Sequence, residues 1–208
     1  MEQIRSFIAI ELPDELKLEL TQLEARLKLG QQPWVKWVDP YSLHLTLKFL
    51  GSIAADRIGE ITRVMEAAVQ GIPPFHLEVK NLAVFPNLKR VQVAWVGIGG
   101  EVDKLGQLQQ RIESNLVPLG FAPEPRPFTP HLTLARLRHQ APLDERQRFG
   151  QLIVSTRFEV AYTIEVDAIN LMRSQLTREG AIYSRISSVR LKGSHLKSLE
   201  GNDESGKD

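Results

Sequence analysis

The tetrapeptide His-Leu-Thr-Leu occurs twice, at His44-Leu45-Thr46-Leu47 and again 87 residues later at His131-Leu132-Thr133-Leu134. Both copies carry an aromatic residue three positions before the histidine (Tyr41, Phe128) and a hydroxyl two before it (Ser42, Thr129). Strict polar-apolar alternation marks each copy as a half-buried strand. In a strand, residues i and i+2 share a face, so His44 and Thr46 point one way and Leu45 and Leu47 the other, into a core. His131 and Thr133 repeat the arrangement. Two strands, one from each half of the chain, thus present a His-Thr pair each to a shared cleft.

The rest of the pattern alternates strands and helices. Residues 6–12 read as a first strand. Pro13 then opens a helix where its missing N–H costs nothing, with Asp14 and Glu15 suiting the helix dipole and Leu16, Leu20, Leu23 and Leu27 on one face. Gly30 and Pro33 end it, and residues 34–40 read as a connection. The first repeat strand runs to Gly51, and a helix over 54–69 buries Ile58, Ile61, Met65 and Ala68. Strands follow over 75–85 and 90–98, then a helix with Val102, Leu105, Leu108, Ile112 and Leu116 inward. A loop with prolines at 123, 125, 127 and 130 pre-sets an extended entry into the second repeat strand. A short helix over 143–149 and strands over 157–165, 168–173 and 182–191 complete the pattern, with Gly180 in a turn. This order predicts an α+β fold of antiparallel sheets with helices outside. The repeat predicts two similar, pseudo-two-fold-related lobes within one domain over 1–192. Residues 193–208 are polar and are expected to form a disordered tail.

Composition removes several classes of function. The 208-residue chain has no cysteine, which excludes disulfides, zinc-thiolate sites and thiol nucleophiles. Its net charge of +1 gives no overall field toward polyanions, so nucleic acid would be held by a local basic patch. No apolar run approaches the ~18 residues that span a bilayer, and the N-terminus lacks a signal-peptide pattern. The expectation is a cytoplasmic protein with no membrane partner.

Two imidazoles suit a reaction needing a base and an acid together, since an unperturbed histidine titrates near ~6.5. Phosphodiester hydrolysis is such a reaction, and hydroxyls at Thr46 and Thr133 can bond the oxygens on which charge grows. Nothing in this scheme calls for a metal or other cofactor. A single strand histidine is more often structural than catalytic, and a metal site would need a third ligand that neither motif supplies at a recognisable spacing. The pairing of two motifs favours catalysis.

The double His-x-Thr-x motif resembles the two-histidine phosphoesterase superfamily, and within it the RNA 2′,3′-cyclic phosphodiesterase (2′-5′ RNA ligase) family. The resemblance rests on Arg5-Ser6-Phe7-Ile8-Ala9-Ile10, Trp37-Val38-x-Pro40, Phe128-Thr129-Pro130-His131-Leu132-Thr133-Leu134-Ala135-Arg136 and Gly180-Ala181-x-Tyr183. It implies a bilobal fold with the motifs facing a central cleft. It also implies hydrolysis of RNA 2′,3′-cyclic phosphate ends to 2′-phosphomonoesters without cofactor, with reverse 2′-5′ ligation as the same chemistry run backwards. By the resemblance His44 is the proton donor and His131 the proton acceptor; the two motifs are locally alike, and their residues do not fix that order. A monomer acting on RNA ends, tRNA halves among the candidates, is the expected form. The alternatives are a non-catalytic RNA-end binder and a phosphodiesterase of a small cyclic phosphate or a 2′-5′ oligonucleotide.

Around the motifs, alternation places Lys48 on the His44 face, where it could pair with phosphate. Phe49 and Arg136 each follow a histidine by five positions and fall on the opposite face by strict alternation. The family pattern uses both at the cleft, so a bulge, a strong twist or a strand end is required. Phe49 is then a base-stacking candidate and Arg136 a phosphate contact. Arg126, with Arg136 and Arg138, forms a candidate patch for RNA backbone, with scattered surface charge as the alternative reading. Phe128, Tyr41 and Trp34 are candidates for stacking or, more simply, for core packing. His76, His139 and His195 have no motif context.

Overall fold

A computed structural model describes residues 2–28, 32–158, 162–177 and 181–193. The expected turn at Gly180, the helix stop at Gly30 and the tail beyond 193 lie outside these residues. Among the described residues four α-helices and nine strands follow one another in the order β1 (Gln3–Glu11), α1 (Asp14–Leu27), β2 (Val35–Trp37), β3 (His44–Ala54), α2 (Ile58–Val69), β4 (Phe75–Phe85), β5 (Val93–Gly100), α3 (Val102–Leu116), β6 (His131–Leu137), α4 (Leu143–Ser155), β7 (Tyr162–Val166), β8 (Ala168–Leu176) and β9 (Ala181–Arg190). The α+β class is as the alternation predicted.

The strands form two sheets, ordered β3-β1-β8-β9 and β2-β6-β5-β4-β7, with every strand pairing in them antiparallel. With β2 set aside, the two orders match place for place. β1-α1-β3-α2 in one half corresponds to β5-α3-β6-α4 in the other, and each histidine motif sits on the last strand of its row. The pseudo-symmetry suggested by the repeat is therefore one of topology.

The helices bury the stripes expected of them. Leu16, Leu20, Leu23 and Leu27 of α1 are fully buried, each such leucine contributing about 2 kcal/mol of transfer free energy. Ile61, Met65 and Ala68 of α2 and Leu105, Leu108, Ile112 and Leu116 of α3 join Leu45, Leu47, Leu132 and Leu134 in one apolar cluster that draws on both sheets. This leaves the histidine faces of the sheets free of helices.

Some boundaries differ from expectation. β3 runs on to Ala54 and a 3-10 turn fills 55–57, so α2 begins later than the periodicity suggested. Val102 opens α3 exposed, because the first turn overhangs the core. α4 continues to Ser155 rather than stopping at Phe149. Gly150, inside this helix, is a contact point: a Cβ there would lie 2.8 Å from Val91 Cγ2. The connection over 34–40 contains β2, three residues between prolines and too short to show a period.

Candidate active site

Each motif strand carries a bulge at the same place. Opposite β1, Ala9 pairs with Thr46 and Ile8 with Lys48, leaving Leu47 as the extra residue. Opposite β5, Trp95 pairs with Thr133 and Ala94 with Ala135, leaving Leu134 extra. The burial sequence after each histidine is then the same. His, Thr and the sixth residue lie toward the cleft, and the two leucines and the fifth residue point inward. A bulge resets the alternation by one residue. It brings Phe49 and Arg136 onto the histidine face, which settles the conflict between strict alternation and the family pattern. Phe49 is 68% exposed there, its ring 6.0 Å from Phe7.

The same bulge overturns the placement of Lys48. Its side chain is buried, not cleft-facing, and its ammonium donates to Glu113 Oε2 at 2.7 Å and to the Ala122 carbonyl at 2.8 Å. Its counterpart in the second motif is the fully buried Ala135.

The imidazoles are held alike. His44 Nδ1 lies 3.0 Å from the Ser42 carbonyl oxygen and His131 Nδ1 2.7 Å from that of Thr129. A carbonyl only accepts, so Nδ1 carries the hydrogen in both rings and Nε2 is the nitrogen without one. The hydroxyl residues two before each histidine thus contribute through their backbone. Aromatic rings from other strands of the same sheet pack against each imidazole. Phe7 stacks on His44 at 4.4 Å and Tyr183 meets it edge-on at 4.9 Å. Phe85 and Trp95, themselves stacked, meet His131 edge-on at 5.2 and 5.8 Å. Thr46 and Thr133 lie on the same face as their histidines, and among the described residues neither hydroxyl has an intrachain partner.

This enclosure sets the protonation states. Burial pushes His44 down to about 4, against a smaller upward pull from the Ser42 carbonyl. Burial also lowers His131, with the Thr129 carbonyl opposing and the Arg136 charge adding to the depression. Both shifts favour the neutral ring at pH 7. An anion beside Nε2 reverses the balance and favours the imidazolium. NMR titration of the imidazole carbons is therefore expected to show a His44 midpoint near 4 that rises by at least about one unit with saturating phosphate; an unmoved midpoint would place the anion elsewhere. The sign for stability follows. His44 titrates lower folded than unfolded, so its stabilising contribution is complete above ~6.5 and disappears as pH falls toward 4, a loss on the order of 2–3 kcal/mol.

The chain itself brings the motifs together. β2 pairs with β6, setting Lys36 opposite Arg136 and Trp37 opposite Ala135, and the Val38 N–H donates to the carbonyl of the bulged Leu134 at 2.8 Å. Six residues later His44 begins β3. Between them Asp39 accepts from the Tyr41 N–H at 3.1 Å and shapes a one-turn 3-10 helix. β3 and β6 touch although they belong to different sheets.

Other expected residues are placed differently. Phe128 is half-buried and packs against the core. Arg126 is highly exposed and donates to Glu124 at 2.8 Å, so its charge is already matched. Tyr41 is exposed, and Trp34 is half-buried. Sequence reasoning missed Phe7, Phe85 and Trp95 as neighbours of the histidines. It also missed Glu11, which stands opposite His44 and accepts at Oε2 from Asn170 at 2.8 Å and from Arg185 Nε at 2.7 Å. Only cross-strand register reveals these. Among the described residues no three of His, Cys, Asp and Glu gather as metal ligands, and no helix is long and apolar enough to cross a membrane.

Residues 12–178 match the 2′-5′ RNA ligase superfamily. The chain belongs to that superfamily. An RNA 2′,3′-cyclic phosphodiesterase of Methanothermobacter thermautotrophicus is 30% identical over 91% of this chain and 100% of its own length. One from Aeropyrum pernix is 33% identical over 75% of this chain and 86% of its own. Among solved structures of the same fold, a Thermus thermophilus protein superposes with a TM-score of 0.72 at 26% identity, over 92% of this chain and 100% of that one. Escherichia coli LigT, crystallised with 3′-AMP, superposes with a TM-score of 0.73 at 24% identity, over 91% and 99%.

Proposed function

We propose that this superfamily member hydrolyses terminal RNA 2′,3′-cyclic phosphates to 2′-phosphomonoesters, with His44 and His131 as acid and base. One observation carries the reading: the two motifs present Nε2, a threonine hydroxyl and a bulge-rotated sixth residue in the same way from touching strands. His131 Nε2 takes a proton from water as the water oxygen bonds to phosphorus. His44 Nε2–H gives its proton to the 3′ oxygen as the P–O3′ bond breaks. Thr46 and Thr133 donate to the non-bridging oxygens, where donors are strongest once charge has developed. Arg136 adds a fixed positive charge, and Phe49 offers an exposed ring for the terminal base. The depressed pKa of His131 suits a base; that of His44 suits an acid only once the phosphate anion has raised it. With a 5′-hydroxyl in place of water the same steps, in the same roles, join it to a 2′,3′-cyclic phosphate end as a 2′-5′ diester while P–O3′ breaks.

The test is an RNA with a 2′,3′-cyclic phosphate end incubated with the protein in EDTA. The expected product is a 2′-phosphate end. A 3′-phosphate product would reverse the leaving group, tight binding without turnover would favour an end-binding protein, and dependence on added metal would remove the two-histidine mechanism.

A further inference from the structure

The cleft does not end at the histidines. One layer along the second sheet from the Thr133–Trp95 pair, Lys36, Arg136 and Val93 stand in a row across β2, β6 and β5. Val35 and Trp37 pack against the core, so Lys36 faces the other way, on the side of Arg136. Two cations directly opposite in an antiparallel pair repel and destabilise it. Among the described residues neither Lys36, Arg136 nor Arg90 is in an ion pair with a carboxylate. Arg136 and Val93 of this row also line a cavity of about 490 Å³, with Arg90 and His139 among its other lining residues and no acidic residue in its wall; Lys36 stands beside it, across Arg136, and not in its lining. Arg146 also borders it, but its guanidinium donates to the carbonyls of Val91, Arg138, His139 and Ala141 and serves to hold the wall. Arg136 stands on the same strand and, past the bulge, on the same face as His131, so the cavity adjoins that histidine. With a net charge of +1 for the whole chain, this uncompensated local cluster is a feature of the site and not of the surface at large.

We propose that Lys36 and Arg90, with Arg136 between them and the histidines, form a second phosphate subsite that holds a phosphodiester of the RNA chain adjoining the cyclic end. The inference rests on the function proposed above and narrows it to a substrate class: polynucleotide ends in preference to mononucleoside cyclic phosphates. A polyanion whose charge continues past the reacting phosphate neutralises the Lys36–Arg136 pair, whereas a mononucleotide leaves it uncompensated.

The test compares a ribonucleoside 2′,3′-cyclic phosphate with a short single-stranded RNA ending in the same group, for the wild type and the double variant Lys36→Gln/Arg90→Gln. In the wild type, kcat/KM for the RNA is expected to exceed that for the mononucleotide by about tenfold at low salt, and the advantage to shrink as salt rises. The variant should lose about tenfold on the RNA, through KM, while staying within about twofold on the mononucleotide, and its salt dependence should flatten by roughly one contact. Equal kcat/KM for the two substrates in the wild type, or an equal loss on both in the variant, would overturn the subsite. Turnover of the mononucleotide tests the proposed function separately. If neither substrate turns over, anisotropy with the same RNA still decides the subsite: weaker binding by the variant supports it and unchanged binding overturns it.

Discussion

Replacing either His44 or His131 by alanine is expected to lower kcat on an RNA 2′,3′-cyclic phosphate by about 10²–10⁴-fold, the range for loss of a positioned acid or base. The two losses should not multiply in the double variant, because groups acting in one step fail together. His44→Ala also removes a ring stacked on Phe7, so His44→Asn is the better control. An asparagine amide can still donate to the Ser42 carbonyl but cannot transfer a proton from the Nε2 position. The roles can be told apart with a diester whose leaving group is a nitrophenolate, which needs no proton. Such a substrate should restore much of the rate to His44→Asn and little to His131→Asn. The opposite pattern would exchange acid and base; near-full activity in either variant on the natural ester would remove that histidine from the chemistry. Circular dichroism of both variants at pH 7 should match the wild type. Below pH 6 the His44 variant should lose less stability than the wild type, since it lacks the imidazole that must stay neutral when buried.

What could be read from the sequence and what could not divide along a physical line. The histidine and threonine faces were legible because side-chain direction over three consecutive strand residues depends only on the pleat. The helix stripes were legible because they repeat for several turns. Lys48 and Phe49 were not, since a bulge is a relation between two strands: the extra residue is defined by Ile8 and Ala9 on β1, far away in the chain. Nothing in Leu47-Lys48-Phe49 announces it, and the only trace is the family pattern's use of the sixth residue. The aromatic surround of the histidines was hidden for the same reason, as Phe7, Phe85 and Trp95 reach their places by register. β2 failed through brevity, although it is the segment that ties the first motif to the second.

The displaced Lys48 supplies the second large effect. Lys48→Met is expected to cost about 3 kcal/mol, near the lower end for breaking a buried pair. The removed ammonium leaves Glu113 only 15% exposed with the Gln109 amide at 3.2 Å, and leaves the Ala122 carbonyl without its donor. For a chain of this size that corresponds to a Tm lower by roughly 6–12 °C. The pair joins three parts: β3 with the first motif, α3, and the loop that leads from α3 into the second motif. Loosening it should therefore raise KM modestly at about 20 °C while kcat stays within about threefold, far from a histidine loss. Adding Glu113→Leu to Lys48→Met removes the stranded carboxylate and should recover a large part of the lost Tm, because a buried pair replaced by apolar groups is often neutral. A phosphate-binding lysine behaves in the opposite way, with Tm unchanged, kcat/KM down by about 10²-fold or more, and no rescue from Glu113→Leu. Melting curves and kinetics on these two variants thus decide whether the fifth residue of the motif serves the substrate or the scaffold, and the bulge at Leu47 requires the scaffold.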